Sequence, residues 1–461
     1  MPSPGKYFSF SVITRLLIVI IMLPVFSLAQ AQSLREKIGQ MIITGFDQYG
    51  ASMDTTREDI RQRNLGGLIL YRRNIVSPSQ IRGLTTELQD LAKTPLFMAT
   101  DQEGGLVSRL NVSNGFSGCY SHYQLGTVFN SEDSTRALAA QMAGWFVNSG
   151  INLNLAPVVD VNVDPYSPAI GALNRSFSSD PMTVFHHASW FIEAFNQRQI
   201  LTSVKHFPGH GSASGDSHAG FTDITWSWSE DELIPYQELI RGGFQDMVMV
   251  GHLYHADIDS CHPASLSHAF VTGLLRDQLS FKGVVISDAM FMGAITSLYS
   301  FEEAIELAIN AGVDILLYET NNLGGMSLVR RFVDTVAEKV QSGAIPESRI
   351  EESFSRIQQL KQRQVAAVAA AAVMPASFAI ENHPNPFKTR TTITLQVDRT
   401  APVRLTLYNL LGQRVWEQTE VLYTPGRHTF HLEEIHLKPG LYLLTGQSGR
   451  EIVSRKMMVV K

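Results

Sequence analysis

Between residues 33 and about 365 the chain repeats one pattern: a short apolar run, then a longer amphipathic stretch. The apolar runs fall at residues 41–44, 67–70, 96–99, 152–159, 201–205, 247–251, 284–287 and 313–317. Residues 78–92, 135–148, 182–197, 230–242 and 301–311 read as helices between them. Unbroken apolar strands alternating with helices imply a parallel sheet buried on both faces. Eight such units fit an α/β chain closed into a (β/α)8 barrel of the TIM type, whose chemistry lies at the C-terminal ends of its strands. Polar residues stand where that rule expects them. The third run is followed by Asp101-Gln102-Glu103-Gly104-Gly105, the fourth by Asp160 and Asp164, and the fifth by Lys205-His206. The sixth is followed by His252 and His255, and the seventh by Asp288. An open, doubly wound sheet does not require this on so many successive strands.

The two ends of the chain have other textures. Residues 1–31 read as a signal peptide: Lys6 and Arg15 precede an apolar stretch too short for a membrane span, and Ala29-Gln30-Ala31 offers a cleavage site. An uncleaved anchor is the alternative. Residues 366–378 begin alanine-rich and break at Met374-Pro375, which suggests a linker, and residues 379–461 form short alternating β-type segments. These segments fall at 392–397, 403–408, 414–417, 427–432, 441–445 and 452–460, separated by turn signals such as Pro425-Gly426 and Pro439-Gly440, as in a small β-sandwich. From residue 377 onward 11 basic residues face 7 acidic ones, whereas residues 32–376 carry 24 against 36, so two modules are expected. The tail resembles the C-terminal sorting domain of type IX secretion cargo, on Asn382-His383-Pro384-Asn385-Pro386-Phe387, Leu407-Tyr408-Asn409-Leu410-Leu411-Gly412-Gln413, Pro439-Gly440-Leu441-Tyr442 and the closing Lys456-Met457-Met458-Val459-Val460-Lys461. That resemblance implies handling by the type IX machinery and a secreted or cell-surface location in a Gram-negative, Bacteroidota-type bacterium. A carbohydrate-binding or adhesion β-domain is the alternative. Cys119 and Cys261 are the only cysteines and can pair in an oxidising compartment if geometry allows.

The densest chemistry lies in Lys205-His206-Phe207-Pro208-Gly209-His210-Gly211 and Asp216-Ser217-His218, a loop that Gly and Pro keep out of a helix. Asp288 ends a buried strand, where an aspartate is often only a cap or a loop hydrogen-bonder. Across a barrel mouth from the fifth-strand loop, the same carboxylate can attack an anomeric carbon, as in retaining glycoside hydrolysis. That reaction needs a proton carrier. Asp216 and His218 supply one if the carboxylate fixes the imidazole tautomer and stabilises its protonated form. Lys205 and His206 then donate to sugar hydroxyls, Asp101 accepts from them, and Arg109 and Arg175 donate. A metal site built from His206, His210, Asp216 and His218 is the competing reading. Lys205 would place a cation beside that metal, and no helix carries a paired-histidine motif. For His210 alone the plainer role is to brace the Pro-Gly turn.

Residues 33–365 resemble glycoside hydrolase family 3, in its β-N-acetylglucosaminidase branch. The resemblance rests on Asp101-Gln102-Glu103-Gly104-Gly105 with Arg109, Asn174-Arg175-Ser176-Phe177, the Lys205–Gly211 segment, Asp216-Ser217-His218, Met249-Val250-Gly251-His252 and Ser287-Asp288-Ala289. It implies Asp288 as nucleophile, His218 as acid/base with Asp216 as its partner, and Asp101, Arg109, Arg175, Lys205 and His206 as ligands of the first sugar. It implies no metal and no cofactor. Leu106 stands where the family often has arginine, and Ala172-Leu173 lengthen the segment before Asn174; both departures bear on the leaving group.

The expected activity is hydrolysis of terminal β-linked N-acetylglucosamine from chitooligosaccharides or peptidoglycan fragments, through a covalent glycosyl-Asp intermediate. A β-glucosidase-type exo-glycosidase on the same barrel and a non-catalytic sugar-binding surface protein are the alternatives. Without residues 1–31 the chain carries 35 basic against 43 acidic residues, which disfavours nucleic acid. No lasting membrane span is expected after signal cleavage.

Overall fold

The computed structural model describes residues 32–47, 51–373, 378–397, 400–409, 413–432, 437–448 and 451–460. The expected signal peptide lies outside the described residues. Eight parallel strands close a barrel: β1 (Ile42–Thr44), β2 (Gly67–Ile69), β3 (Phe97–Thr100), β4 (Leu153–Asn154), β5 (Leu201–Phe207), β6 (Met247–Val250), β7 (Val284–Ala289) and β8 (Ile315–Tyr318). Each strand pairs with the next, and β8 pairs with β1. The (β/α)8 architecture is therefore the one the apolar periodicity describes. Side chains of β3, β5, β6 and β8 are buried throughout, as a sheet covered by helices on its outer face requires.

The boundaries differ from expectation at informative places. The fourth strand was expected over 152–159, but its regular part is only Leu153–Asn154. Pro157 has no amide hydrogen to give to the ladder, and pairing resumes as a single bridge between Val158 and Lys205. The fifth and seventh strands run two residues longer than expected, so His206 and Asp288 lie within strands, as Lys205 does. Both strands shift register there: β5 against β6 between Val204 and Phe207, and β7 against β8 between Ile286 and Ala289. Such irregularities re-aim side chains at the end of a sheet.

Helices Pro78–Asp90, Glu132–Ser149, Pro181–Asn196 and Phe301–Ala311 cover the outside of the barrel near their expected limits. The stretch expected as one helix over 230–242 is a 3-10 turn, Glu230–Leu233, followed by helix Ile234–Arg241. Pro235 has no amide for an intrahelical bond and sits in the first turn of the new helix. Helix Glu347–Val373 continues through the alanine run expected to begin the linker, consistent with alanine's high helix propensity.

Among the described residues the tail forms a seven-stranded antiparallel sandwich. One sheet holds β9 (Phe378–His383), β10 (Thr391–Val397) and β13 (Gly426–Leu432). The other is ordered β12 (Arg414–Tyr423), β11 (Ala401–Asn409), β14 (Gly440–Ser448) and β15 (Glu451–Val459). Ile380, Ile393, Leu395, Val403, Leu405, Leu407 and Leu444 fill its core. Strand β9 was not expected, because only Phe378 and Ile380 carry its buried face before polar residues take over. Cys119 and Cys261 are both free thiols.

Candidate active site

Strand β3 delivers Asp101 to the mouth, and the next residues turn back as a small hairpin, Gln102–Gly104 against Val107–Ser108. Gly104 has φ 102°, and a Cβ there would lie 2.1 Å from the Tyr120 carbonyl oxygen, so only glycine fits. Buried Gln102 holds the hairpin: its side-chain oxygen accepts from the Arg109 N–H (3.0 Å) and the Leu110 N–H (2.9 Å). The hairpin returns Arg109 to Asp101, with Arg109 Nη2 3.3 Å from Asp101 Oδ2.

Lys205 Nζ reaches across from β5 to Asp101 Oδ1 (2.9 Å) and Glu103 Oε1 (2.8 Å). Arg175 donates to both oxygens of Glu103, each at 2.8 Å, and to the Ala169 carbonyl. Burial alone would push the Asp101 and Glu103 carboxyls up. Lys205 and Arg109 outweigh it at Asp101, and Arg175 with Lys205 holds Glu103 well below the usual range. Burial likewise opposes the charge on Lys205, but Asp101 and Glu103 overcome it and raise its pKa. Asp101, Glu103 and Lys205 are all ionised at neutral pH.

Asp160 gathers the other side. Its Oδ2 lies 2.7 Å from His206 Nδ1, and its Oδ1 accepts from the backbone N–H groups of His206 (3.0 Å) and His210 (2.8 Å). His206 Nε2 faces Arg175 Nη2 at 3.4 Å. Arg109, Arg175, Lys205, His206 and Asp101 are thus brought together as the sequence suggested. Glu103 and Asp160, which the sequence reading left without a role, link them. Glu103 stands inside a quoted motif, which was its one signal in the sequence.

Asp288 sits near the end of β7, partly open to the mouth. Its Oδ1 accepts from the Ala289 N–H at 2.8 Å. Burial would raise its pKa, but His206, His252 and the Ala289 N–H prevail and bring the carboxyl down to about 2. His252 sits behind it, bonding through Nε2 to the Ala289 carbonyl (3.0 Å) and through Nδ1 to Ser265 Oγ (2.7 Å). Glu319, just beyond β8, adds a carboxyl whose pKa is raised by burial and by the charge on Asp288. Neither His252 nor Glu319 was assigned from sequence; Glu319 follows an apolar strand with no motif around it.

Asp216 and His218 form a dyad on the loop after β5, with His218 Nδ1 2.8 Å from Asp216 Oδ1 and the His218 N–H donating to the same oxygen at 3.0 Å. Burial pushes the Asp216 carboxyl up, but these His218 contacts prevail and lower it. His218 is exposed to solvent, and its backbone carbonyl accepts from the Gly293 N–H at 3.3 Å, on the segment just beyond Asp288. The histidines proposed as metal ligands do not converge: His206 bonds Asp160, His210 Nε2 bonds Ser217 Oγ (3.2 Å), and His218 bonds Asp216. His210 ties the Pro-Gly turn to Asp160 through its backbone, while its ring reaches beyond the turn.

Leu106 and Leu173, one residue from each of the two departures noted in the sequence, line one cleft of about 400 Å³ with Tyr123, Gln124 and Val128. A larger cleft of about 680 Å³ lies at the opposite end of the barrel, lined by Trp190, Phe244, Asp246 and Arg363. The converging charged groups lie at the mouth, not in this cleft.

Residues 33–360 match the glycosyl hydrolase family 3 N-terminal domain, and residues 382–461 match the secretion system C-terminal sorting domain. The chain belongs to glycosyl hydrolase family 3, and its barrel is a β-N-acetylhexosaminidase of that family. It is 34% identical over 305 residues to a β-hexosaminidase of Tolumonas auensis, covering 64% of this chain and 88% of that protein. It is 31% identical over 351 residues to β-hexosaminidase A of Pseudoalteromonas piscicida, covering 71% of this chain but only 58% of that longer protein. The family 3 β-N-acetylglucosaminidase structure from Paenibacillus sp. superposes with a TM-score of 0.67 at 30% identity, covering 78% of this chain and 71% of that one.

Proposed function

We propose that the protein is a secreted, retaining exo-β-N-acetylglucosaminidase that removes terminal β-linked GlcNAc from chitooligosaccharides or peptidoglycan fragments. The observation that carries this reading is the grouping at the mouth: Asp288 is partly open near the end of β7, and the loop of the Asp216–His218 dyad is seated by its Ser217 and His218 carbonyls on the segment just beyond that strand. In the first step the Asp288 carboxylate attacks C1 of the sugar as the bond from C1 to the leaving oxygen breaks, and His218 gives its proton to that oxygen. In the second, His218 takes a proton from water, the water oxygen bonds to C1, and the C1–Asp288 ester bond breaks to regenerate the carboxylate. Asp216 orients the imidazole and stabilises its protonated form. Asp101, Arg109, Arg175, Lys205 and His206 bind the hydroxyls of the first sugar.

The sorting-domain tail supports export by the type IX machinery and a secreted or cell-surface site of action. Residues 1–31, read as a signal peptide, supply the first export step, and 33–365 and 379–461 act as separate domains.

Two measurements test the reading. The first sugar released, followed by proton NMR, should be the β-anomer; initial α-anomer would exclude the covalent route. Nitrophenyl β-GlcNAc should be hydrolysed faster than nitrophenyl β-glucoside. Preference for the glucoside would move the protein to the β-glucosidase reading, and inertness toward both to that of a non-catalytic sugar binder.

A further inference from the structure

The proposed acid/base dyad lies on an exposed loop, yet proton transfer needs its imidazole within hydrogen-bond reach of the glycosidic oxygen. The loop's one buried side chain between the two dyad members is Ser217, 1% exposed, whereas Asp216 is half-buried and His218 exposed. Ser217 Oγ lies 3.2 Å from Nε2 of His210, which is 2% exposed. His210 Nδ1 has no partner among the described residues, so the Ser217 contact is the ring's one hydrogen bond there. The backbone N–H of His210 is held by Asp160 Oδ1 at 2.8 Å, the carboxylate that also holds His206.

The other side of the loop is seated on the segment that follows Asp288. The carbonyls of Ser217 and His218 accept from the N–H groups of Ala294 and Gly293, each at 3.3 Å. A Cβ at Gly293 would lie 3.1 Å from the His218 carbonyl oxygen and from Ala219, so the loop is seated closely on this position. Two anchors therefore fix the loop, one from β5 through His210 and one from the chain just beyond β7.

We propose that the His210–Ser217 hydrogen bond is a latch that holds the Asp216–His218 dyad over Asp288, making His210 and Ser217 positioning residues for proton transfer. The inference rests on the reading of His218 as acid/base. It assigns the pair a consequence that a merely structural bond would lack. Loosening the latch harms the steps that need a proton and spares the nucleophile and the sugar contacts.

The test uses the full chain and three variants: Ser217→Ala, Ser217→Thr, which keeps the hydroxyl, and Ser217→Val, which has threonine's shape without it. Each is assayed on phenyl β-GlcNAc, whose leaving group needs a proton, and on 2,4-dinitrophenyl β-GlcNAc, whose leaving group does not. With Ala or Val, kcat/KM for the phenyl glycoside should fall on the order of 10- to 100-fold, the cost of a misplaced catalytic group. For the dinitrophenyl glycoside kcat/KM should hold while kcat and KM fall together, because hydrolysis of the intermediate still needs the base. Threonine should restore both patterns, with unfolding midpoints confirming folded protein throughout. Equal losses on the two substrates, no loss on the phenyl glycoside, or equal damage from Thr and Val would overturn the latch. A wild-type protein inert toward both glycosides would instead sink the enzymatic reading on which it rests.

Discussion

At the N-terminal end of the barrel, Asp314 is enclosed by Arg276 (2.6 Å), Arg349 (2.7 Å) and Arg356 (3.1 Å), and also accepts from Ser353 and the Val285 N–H. At the mouth, Asp288 accepts one backbone N–H and pairs directly with no cation among the described residues. Both carboxyls are held below the usual range against burial, Asp314 by three arginines and Asp288 mainly by the more diffuse influence of His206 and His252. Elsewhere at the closed end, Arg363 pairs with Asp246, and buried Lys361 bonds Gln40 and the Gly66 carbonyl and lies 4.5 Å from the centre of the Phe97 ring. These contacts tie the last helix to strands far away in sequence. Charge saturated by its own chain holds the fold together, whereas charge left with bonding capacity can act on something else.

Breaking the comparison at the mouth should give the largest effect. Asp288→Asn is expected to lower kcat on nitrophenyl β-GlcNAc about 10,000-fold, in line with removing a central catalytic group, with little change in thermal midpoint. Undiminished turnover would remove Asp288 from the mechanism. At the closed end the balance reverses. Asp314→Asn leaves three arginines around a neutral amide and should destabilise the fold by about 3–5 kcal/mol in denaturant titration. KM of the remaining folded protein should not change.

Glu232 sharpens the comparison, because it lies behind the mouth with no cation paired to it among the described residues. It is fully buried and accepts from the Gly211 N–H at 3.1 Å, and burial pushes its carboxyl up to about 7. An acid that ionises less readily folded than unfolded costs stability as pH rises. The cost is absent below the ordinary value of 4.5 and complete above about 7. Glu232→Gln should therefore raise the unfolding free energy at pH 8 by at most about 3 kcal/mol and leave it unchanged near pH 4. The opposite pH trend would show that the carboxylate is stabilising. The smallest effect is expected at the rim. Leu106→Arg adds an exposed cation beside the 400 Å³ cleft, worth about 2- to 5-fold in favour of anionic muropeptide fragments over chitobiose. Unequal kcat/KM ratios for the two substrates would show it.

The legible parts of the molecule share a cause. Strands buried on both faces must be apolar throughout, so β8 and β6 stand out in the sequence, and polar residues at their ends stand out by contrast. Asp101, Lys205, His206 and Asp288 were found that way. Glu319 was not, because a lone glutamate after an apolar run looks like any loop residue until the barrel closes and sets β8 beside β7. The Glu103–Arg175 fork joins residues 72 positions apart, and nothing local records that distance.

The order of apolar and amphipathic segments, by itself, determined the barrel, its direction and the end that carries the chemistry. Strand burial and side-chain alternation are properties of each segment alone. The sequence also placed Asp216 and His218 two residues apart, close enough to bond. Only the tertiary structure decided what those residues face. The register shifts in β5 and β7 fall at Lys205, His206 and Asp288, and the seat on Gly293 and the reach of His210 to Ser217 set where the dyad lies. Those contacts join segments distant along the chain, and their geometry exists only once the sheet has closed.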